Sequence, residues 1–240
     1  MSPAVRRRAL AERIASVRQR IDVAAHLSGR EPGAVRLVAV TKFRTVEEIE
    51  EAISAGVTEI GESRVQEADR KRHRITEPNL TWHLVGRLQS NKAKKAVQIF
   101  DLIHSINTLD MARRVDRLAE EQHTTQAVLV QVQLAEEESK QGLPMSELFA
   151  NLERMAELDH LRVEGLMVLP PYLPDPEHVR PFFARLRELR DTVGARGVAG
   201  PAFKELSMGM SHDFEVAVEE GATLVRVGTA LFGERPAASP

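Results

Sequence analysis

Eight short apolar runs, separated by segments of helical period, constrain this chain more than any other feature of its sequence. The runs lie at 35–42, 58–63, 81–86, 101–107, 127–134, 161–169, 204–209 and 223–228. Between them, 45–56, 64–75, 90–100, 108–122, 145–158, 179–194 and 212–221 read as helices. The first of these has Thr45 as N-cap, Glu48 closing a capping box, and Gly56 at its end. Such alternation means parallel strands joined by right-handed crossovers. Eight parallel strands close into a (β/α)8 TIM barrel, whereas an open doubly wound sheet would leave two edges to protect. Ahead of the first strand, Leu10, Ile14, Val17, Ile21 and Ala24 or Ala25 mark a helix with one apolar face, ended by Gly29 with Pro32 beyond. This helix either covers the barrel or supplies its missing eighth helix. The expectation is one domain over 1–240: an extra N-terminal helix at 3–29, the barrel at 35–233 and a frayed tail at 234–240.

Composition narrows the function classes. The 33 basic and 35 acidic residues leave a formal charge of -2. A dedicated nucleic-acid binder needs a basic surplus to neutralise phosphates, so none is expected. There is no cysteine, which removes disulfides, thiolate metal sites and cysteine nucleophiles. No His pair has metal-ligand spacing on one helix face, and no metal is expected. No apolar run has the roughly 18–20 residues of a membrane span. A soluble, cytoplasmic protein is expected, as a monomer or weak dimer.

In a barrel of this kind, function sits at the C-terminal ends of the strands. Here these read Lys42, Glu62 and Ser63, His83, Ser105 to Asn107, Gln131 to Gln133, Met167, Ser207 to Ser211, and Arg226 to Thr229. Lys42 closes a strand that should be buried on both faces, where lysine is rare unless it is used. At a barrel mouth it can serve as a Schiff-base nucleophile, or it can simply snorkel to solvent. Ser207, Met210 and Ser211 precede a helix, and Gly228 and Thr229 follow the last strand. Loops after strands seven and eight are the habitual phosphate position in these barrels. Read blandly, they are turn and cap residues, with Ser211 capping the helix of Glu215. Arg226 needs an anionic or acceptor partner, with a salt bridge to Glu205 or Glu62 as the plain alternative. Together, a reactive lysine, a phosphate cradle and an arginine match the three handles of pyridoxal 5′-phosphate (PLP): aldehyde, phosphate and ring nitrogen. An arginine at that nitrogen donates its proton poorly, so the ring stays unprotonated and is a weaker electron sink than with an Asp partner.

Seven stretches in order, "AVTKFR", "GESRVQE", "WHLVGRLQSNK", "IHSIN", "EEESKQGL", "GLM" and "LSMGMSHDFEVAVEEGATLVRVGTALFG", resemble the PLP homeostasis protein family. They run from about residue 35 to 233, nearly the whole chain. The resemblance implies a barrel of the alanine racemase N-terminal-domain type, with PLP held as an internal aldimine. By motif, Lys42 matches the PLP lysine and Arg226 the arginine at the ring nitrogen. Ser207, Met210, Ser211, Gly228 and Thr229 fall where the family holds the phosphate. Ser63, His83 and Met167 are candidate pocket walls. Three positions depart from the family pattern: Phe43 with Arg44 after the lysine, Ser63 in place of Asn, and Gln133 in place of Asn.

The family resemblance implies a carrier that keeps free PLP low and supplies it to apo PLP-dependent enzymes, without substantial turnover. The residues agree. Racemisation needs a second base on the face of the cofactor opposite Lys42. The single tyrosine, Tyr172, lies in a proline-rich loop, and His83 is the other candidate. A weak PLP-dependent racemase is therefore one alternative. A barrel aldolase that uses Lys42 without PLP is the other. Finally, "SNKAKK" at 90–95 puts cations at the unfavourable end of a helix. Asn91, Lys92 and Lys95 form a candidate second anion site.

Overall fold

The computed structural model describes residues 3–134 and 142–234. The eight expected strands are all present: β1 (Arg36–Val40), β2 (Glu59–Glu62), β3 (Thr81–Leu84), β4 (Leu102–Ile106), β5 (Gln126–Gln133), β7 (Leu161–Met167), β8 (Glu205–Met210) and β9 (Leu224–Val227). A two-residue strand, β6 (Leu143–Pro144), pairs alongside the end of β5 and has no counterpart in the sequence pattern. All pairings are parallel. β1 pairs with both β2 and β9, and β4 with β5, so the eight long strands close on themselves. The closed (β/α)8 barrel is thus confirmed, and the open-sheet alternative is gone.

The helices between strands are α2 (Val46–Ser54), α3 (Val65–Arg72), α4 (Ala93–Ile99), α5 (Leu109–Glu120), α6 (Leu148–Ala156), α7 (Arg180–Arg196) and α8 (Phe214–Glu219), with α9 (Thr229–Phe232) after the last strand. The Thr45–Glu48 capping box forms as its spacing predicts. α9 has only four residues and covers little of the barrel. α1 (Pro3–Leu27) takes up that gap, packing against α8, α9 and α2. Leu10, Ile14, Val17 and Ile21 are all buried, so its apolar face is part of the core. The N-terminal helix therefore serves as the eighth wall of the outer ring.

Period-two alternation sorts the strand side chains. Those facing the helices, such as Val128, Val130 and Val132, join the large outer core. Val38, Leu102, Ala127, Leu129, Met167 and Leu224 form a small separate cluster inside the barrel. This inner cluster is too small to fill the barrel. The rest of its axis is polar: His83, His104, Ser207 and Arg226 are each at most 4 % exposed.

Candidate cofactor-binding site

The C-terminal ends of β1, β8 and β9 converge on a cavity of about 460 Å3. Lys42, Met210, Ser211, Arg226, Gly228 and Thr229 line it. Six of the seven residues singled out for the cofactor thus share one space. Lys42 is exposed at its rim rather than desolvated within it. Ser63 is also in the wall, as are Arg44, Gly86 and Tyr172, which the strand-end reading did not assign to it. Tyr172 stacks obliquely on His212, ring centres 5.0 Å apart.

The loops are built for close approach. Gly209 has φ +90, and a Cβ there would sit 2.6 Å from the Ala217 methyl, so only glycine lets the end of β8 lie against α8. Asp213, not Ser211, is the N-cap of α8, and its carboxylate accepts the Met210 N–H at 2.6 Å. Ser211 turns the other way. Its Oγ accepts from the N–H groups of Gly228 (3.1 Å) and Ala230 (3.2 Å), tying the β8 and β9 loops together. Both acceptor positions are used, so its hydroxyl proton is left to face the cavity or solvent.

Ser207 is not in the wall. It is fully buried beneath Arg226, whose Nη1 donates to its Oγ at 2.5 Å. Arg226 Nη2 donates to Val168 O at 2.9 Å. Neither Glu205 nor Glu62 reaches this arginine. Glu205 instead lies 3.8 Å from Arg36, and Glu62 bonds Lys71. With no ion pair to a described carboxylate, Arg226 has its pKa lowered by burial to about 10, against partial support from Asp213.

The buried groups below Arg226 form a directional chain. Ser207 Oγ accepts the Arg226 N–H, and with the Glu59 carboxylate as acceptor at the far end of the run its own O–H points to His104 Nδ1 at 2.8 Å. Burial, then His83 and Arg226, push the His104 pKa well down, so the ring is neutral. A neutral imidazole accepting at Nδ1 carries its proton on Nε2, which donates to His83 Nδ1 at 2.9 Å. His83 then carries its own proton on Nε2, 3.0 Å from Glu59 Oε2, close but not aligned as a hydrogen bond. Glu59 is held in turn by Arg36, Nε to Oε1 at 2.9 Å, at the opposite rim of the barrel. His83 and Met167 are accordingly interior residues, below the cavity wall where sequence placed them. Strand position alone gives no depth along the barrel axis.

The second candidate site is also rearranged. Lys95 pairs with Asp69 at 3.4 Å. Asn91 is exposed. Lys92 instead joins Arg64, Arg70, Arg74 and Arg87 along a groove of about 1230 Å3 beside the mouth, sharing Arg44 and Ser63 with the cavity. The "EEESKQGL" stretch occupies 136–143, and its residues 136–141 lie outside the described residues. Among the described residues, no cluster of His, Asp and Glu could hold a metal ion, and no helix is long and apolar enough to cross a membrane.

These donors fit PLP. A buried guanidinium without an anionic partner suits a ring nitrogen lone pair, a rim lysine suits an aldehyde, and the Ser211 hydroxyl proton suits a phosphate oxygen. Comparison with known proteins points the same way. Residues 9–236 match the model of the alanine racemase N-terminal domain. The pyridoxal phosphate homeostasis protein of Aquifex aeolicus is 43 % identical over 93 % of this chain and 97 % of its own. That of Escherichia coli K12 is 38 % identical over 94 % and 97 %. The structure of PipY from Synechococcus elongatus with PLP bound superposes with a TM-score of 0.83 at 40 % identity, covering 93 % of this chain and all of PipY. An alanine racemase of Clostridium difficile shares the fold alone, at a TM-score of 0.69 and 16 % identity. By sequence and fold, this chain belongs to the pyridoxal phosphate homeostasis protein family, built on the alanine racemase N-terminal-domain barrel.

Proposed function

We propose that this protein binds PLP in the cavity at the barrel mouth, covalently at Lys42, and acts inside the cell to hold PLP and release it to apo-enzymes. One observation carries the reading: Lys42, Arg226, Ser211, Gly228 and Thr229 line a single cavity. PLP supplies an aldehyde and an electron-accepting ring. The protein's own part is to orient them. Lys42 Nζ, at the end of β1, offers the amine. Arg226 donates to the ring nitrogen and, charged at neutral pH with a pKa of about 10, does not give up its proton. Ser211 and the loops at Gly228 and Thr229 take the phosphate. Ser207 acts one layer down, holding Arg226 rather than the phosphate.

Holding rather than turnover is the reading supported by where the two candidate second bases, His83 and Tyr172, lie. His83 is sealed inside the barrel. Tyr172 lines the cavity but is 75 % exposed, its ring resting against His212. Its presence in the wall keeps one second reading in play, a weak racemase, for which amino-acid-dependent loss of α-deuterium is the test.

The primary test is the visible absorption of wild type and Lys42→Ala after loading with PLP and removing the excess. A Schiff-base band in the wild type, lost in the variant, is the expected result. No band in either would sink the PLP reading and bring forward an aldolase that traps sugar phosphates at Lys42. A second anion site is proposed around Lys92, now with Arg70 and Arg87 in place of Asn91 and Lys95. Lys92→Glu should weaken phosphate binding there without changing the Lys42 band; unchanged phosphate binding would dismiss the site.

A further inference from the structure

The backbone on both sides of Lys42 is gripped by a buried charged cluster that PLP binding, as described, does not use. Lys71, on α3, is 7 % exposed. Its ammonium has three protons and three acceptors: Thr41 O at 2.8 Å, Glu62 Oε1 at 2.7 Å and Glu67 Oε1 at 2.7 Å. Thr41 O belongs to the peptide group preceding Lys42, and it also accepts the Arg44 N–H at 3.0 Å. The same Glu67 oxygen accepts the N–H of Phe43 at 2.6 Å, in the peptide group following Lys42. Thr41 Oγ1 donates to Glu62 Oε1 at 2.6 Å and locks the remaining corner.

The two peptide planes that meet at the Lys42 α-carbon are therefore both tied to one ammonium–carboxylate pair. No described hydrogen bond or ion pair holds the Lys42 side chain itself, so this backbone fixes where its Cα–Cβ bond starts and which rotamers reach the cavity. The cluster also holds Phe43 at φ +62, a conformation that residues with a Cβ rarely adopt. Burying an ammonium beside two carboxylates is a poor way to stabilise a fold, since apolar side chains of equal volume often do as well. What charges add is direction, and here the direction converges on one residue.

We propose that Lys71 and Glu67 are positioning residues for Lys42, fixing the line along which its amine enters the cavity. The proposal rests on the reading of Lys42 as the PLP lysine. The step it serves is condensation of the Lys42 amine with an aldehyde, which forms a C=N bond and releases water; Lys71 and Glu67 transfer no proton in it.

The test uses Glu67→Leu against Glu67→Gln. The glutamine carbonyl can still accept from Phe43 N–H and Lys71, whereas leucine can do neither. In the protein without PLP, amide hydrogen exchange at Phe43 should accelerate in Glu67→Leu and return toward wild type in Glu67→Gln. On adding PLP, the rate of borohydride-trappable attachment should fall ten- to a hundredfold in Glu67→Leu and recover in Glu67→Gln. Wild-type exchange and attachment in Glu67→Leu would overturn the proposal. So would equal losses in both variants, which would assign the effect to charge rather than to geometry. Should Glu67→Leu lose cooperative unfolding, Lys71→Gln combined with Glu62→Gln repeats the comparison, and wild-type attachment there overturns the proposal equally. Attachment absent from the wild type itself would overturn the functional reading and take this role with it.

Discussion

His104 is the residue at which the barrel interior meets pH. The unfolded chain takes up a proton there near pH 6.5, while the folded ring, buried and facing His83 and Arg226, resists it to a much lower pH. Below 6.5 the unfolded state thus binds more protons, and stability falls with pH by up to about 1.4 kcal/mol per unit until the folded ring also protonates. Glu62 and Asp213 act with the opposite sign. Burial raises both, so their contribution is present at low pH and is lost as pH rises through their folded values. Comparing wild type with His104→Gln isolates the histidine. Urea midpoints followed from pH 6.5 down to about 5 should fall less steeply in the variant; parallel profiles would place the acid sensitivity elsewhere. At this scale the mouth was legible, because Lys42, Ser211, Arg226, Gly228 and Thr229 all sit where strands end. The interior was not. Whether His83 meets His104, or Ser207 lies under Arg226, depends on the stagger between strands that are far apart in sequence.

At the scale of elements, periodicity gave the eight long strands and the helices α1 to α8, missed β6 and α9, and left open where α1 docks. An apolar stripe says that a helix is buried, not against what. The brevity of α9, hidden in a run that reads equally well as a loop, decides it: α1 fills the place that a full last helix would occupy. α1 is therefore as integral as any barrel helix. Ile14 is 1 % exposed, and Ile14→Ala should cost about 2–5 kcal/mol in urea unfolding, with loss of α1 and barrel structure in a single transition. A cost under about 1 kcal/mol, or an early separate transition, would make α1 a peripheral cover. The Glu67–Lys71 pair was visible as an i,i+4 spacing on α3, but such pairs usually face solvent. Its burial comes from α3 lying over the end of β1, which no local pattern reveals.

At the scale of the whole molecule, a near-neutral chain carries an uneven field. Seven cationic side chains and two carboxylates line the groove beside the mouth. They come from the loops and helices after β1, β2 and β3, so no single stretch of sequence displays the patch. Of the two carboxylates, Glu67 is committed to Lys71 and Phe43, and Glu47 pairs with Arg74 at 3.0 Å. A doubly charged phosphate ester approaching the mouth should be drawn in by this surplus. Arg70→Glu with Arg87→Glu is expected to slow PLP association about three- to tenfold at low salt and to flatten its salt dependence, with dissociation unchanged. Stopped-flow absorbance at several ionic strengths measures this. Equal association rates would confine the groove to another anion.

Phe43 carries a consequence for descent. Its φ of +62 is one that residues with a Cβ rarely adopt, and the Glu67 carboxylate holds its backbone N–H there. Where residue 43 differs between lineages, Gly or Asn should be the least strained choices. Thr41, Glu62, Glu67 and Lys71 should be inherited or exchanged as a group, since losing one leaves a buried charge or a backbone group without its match.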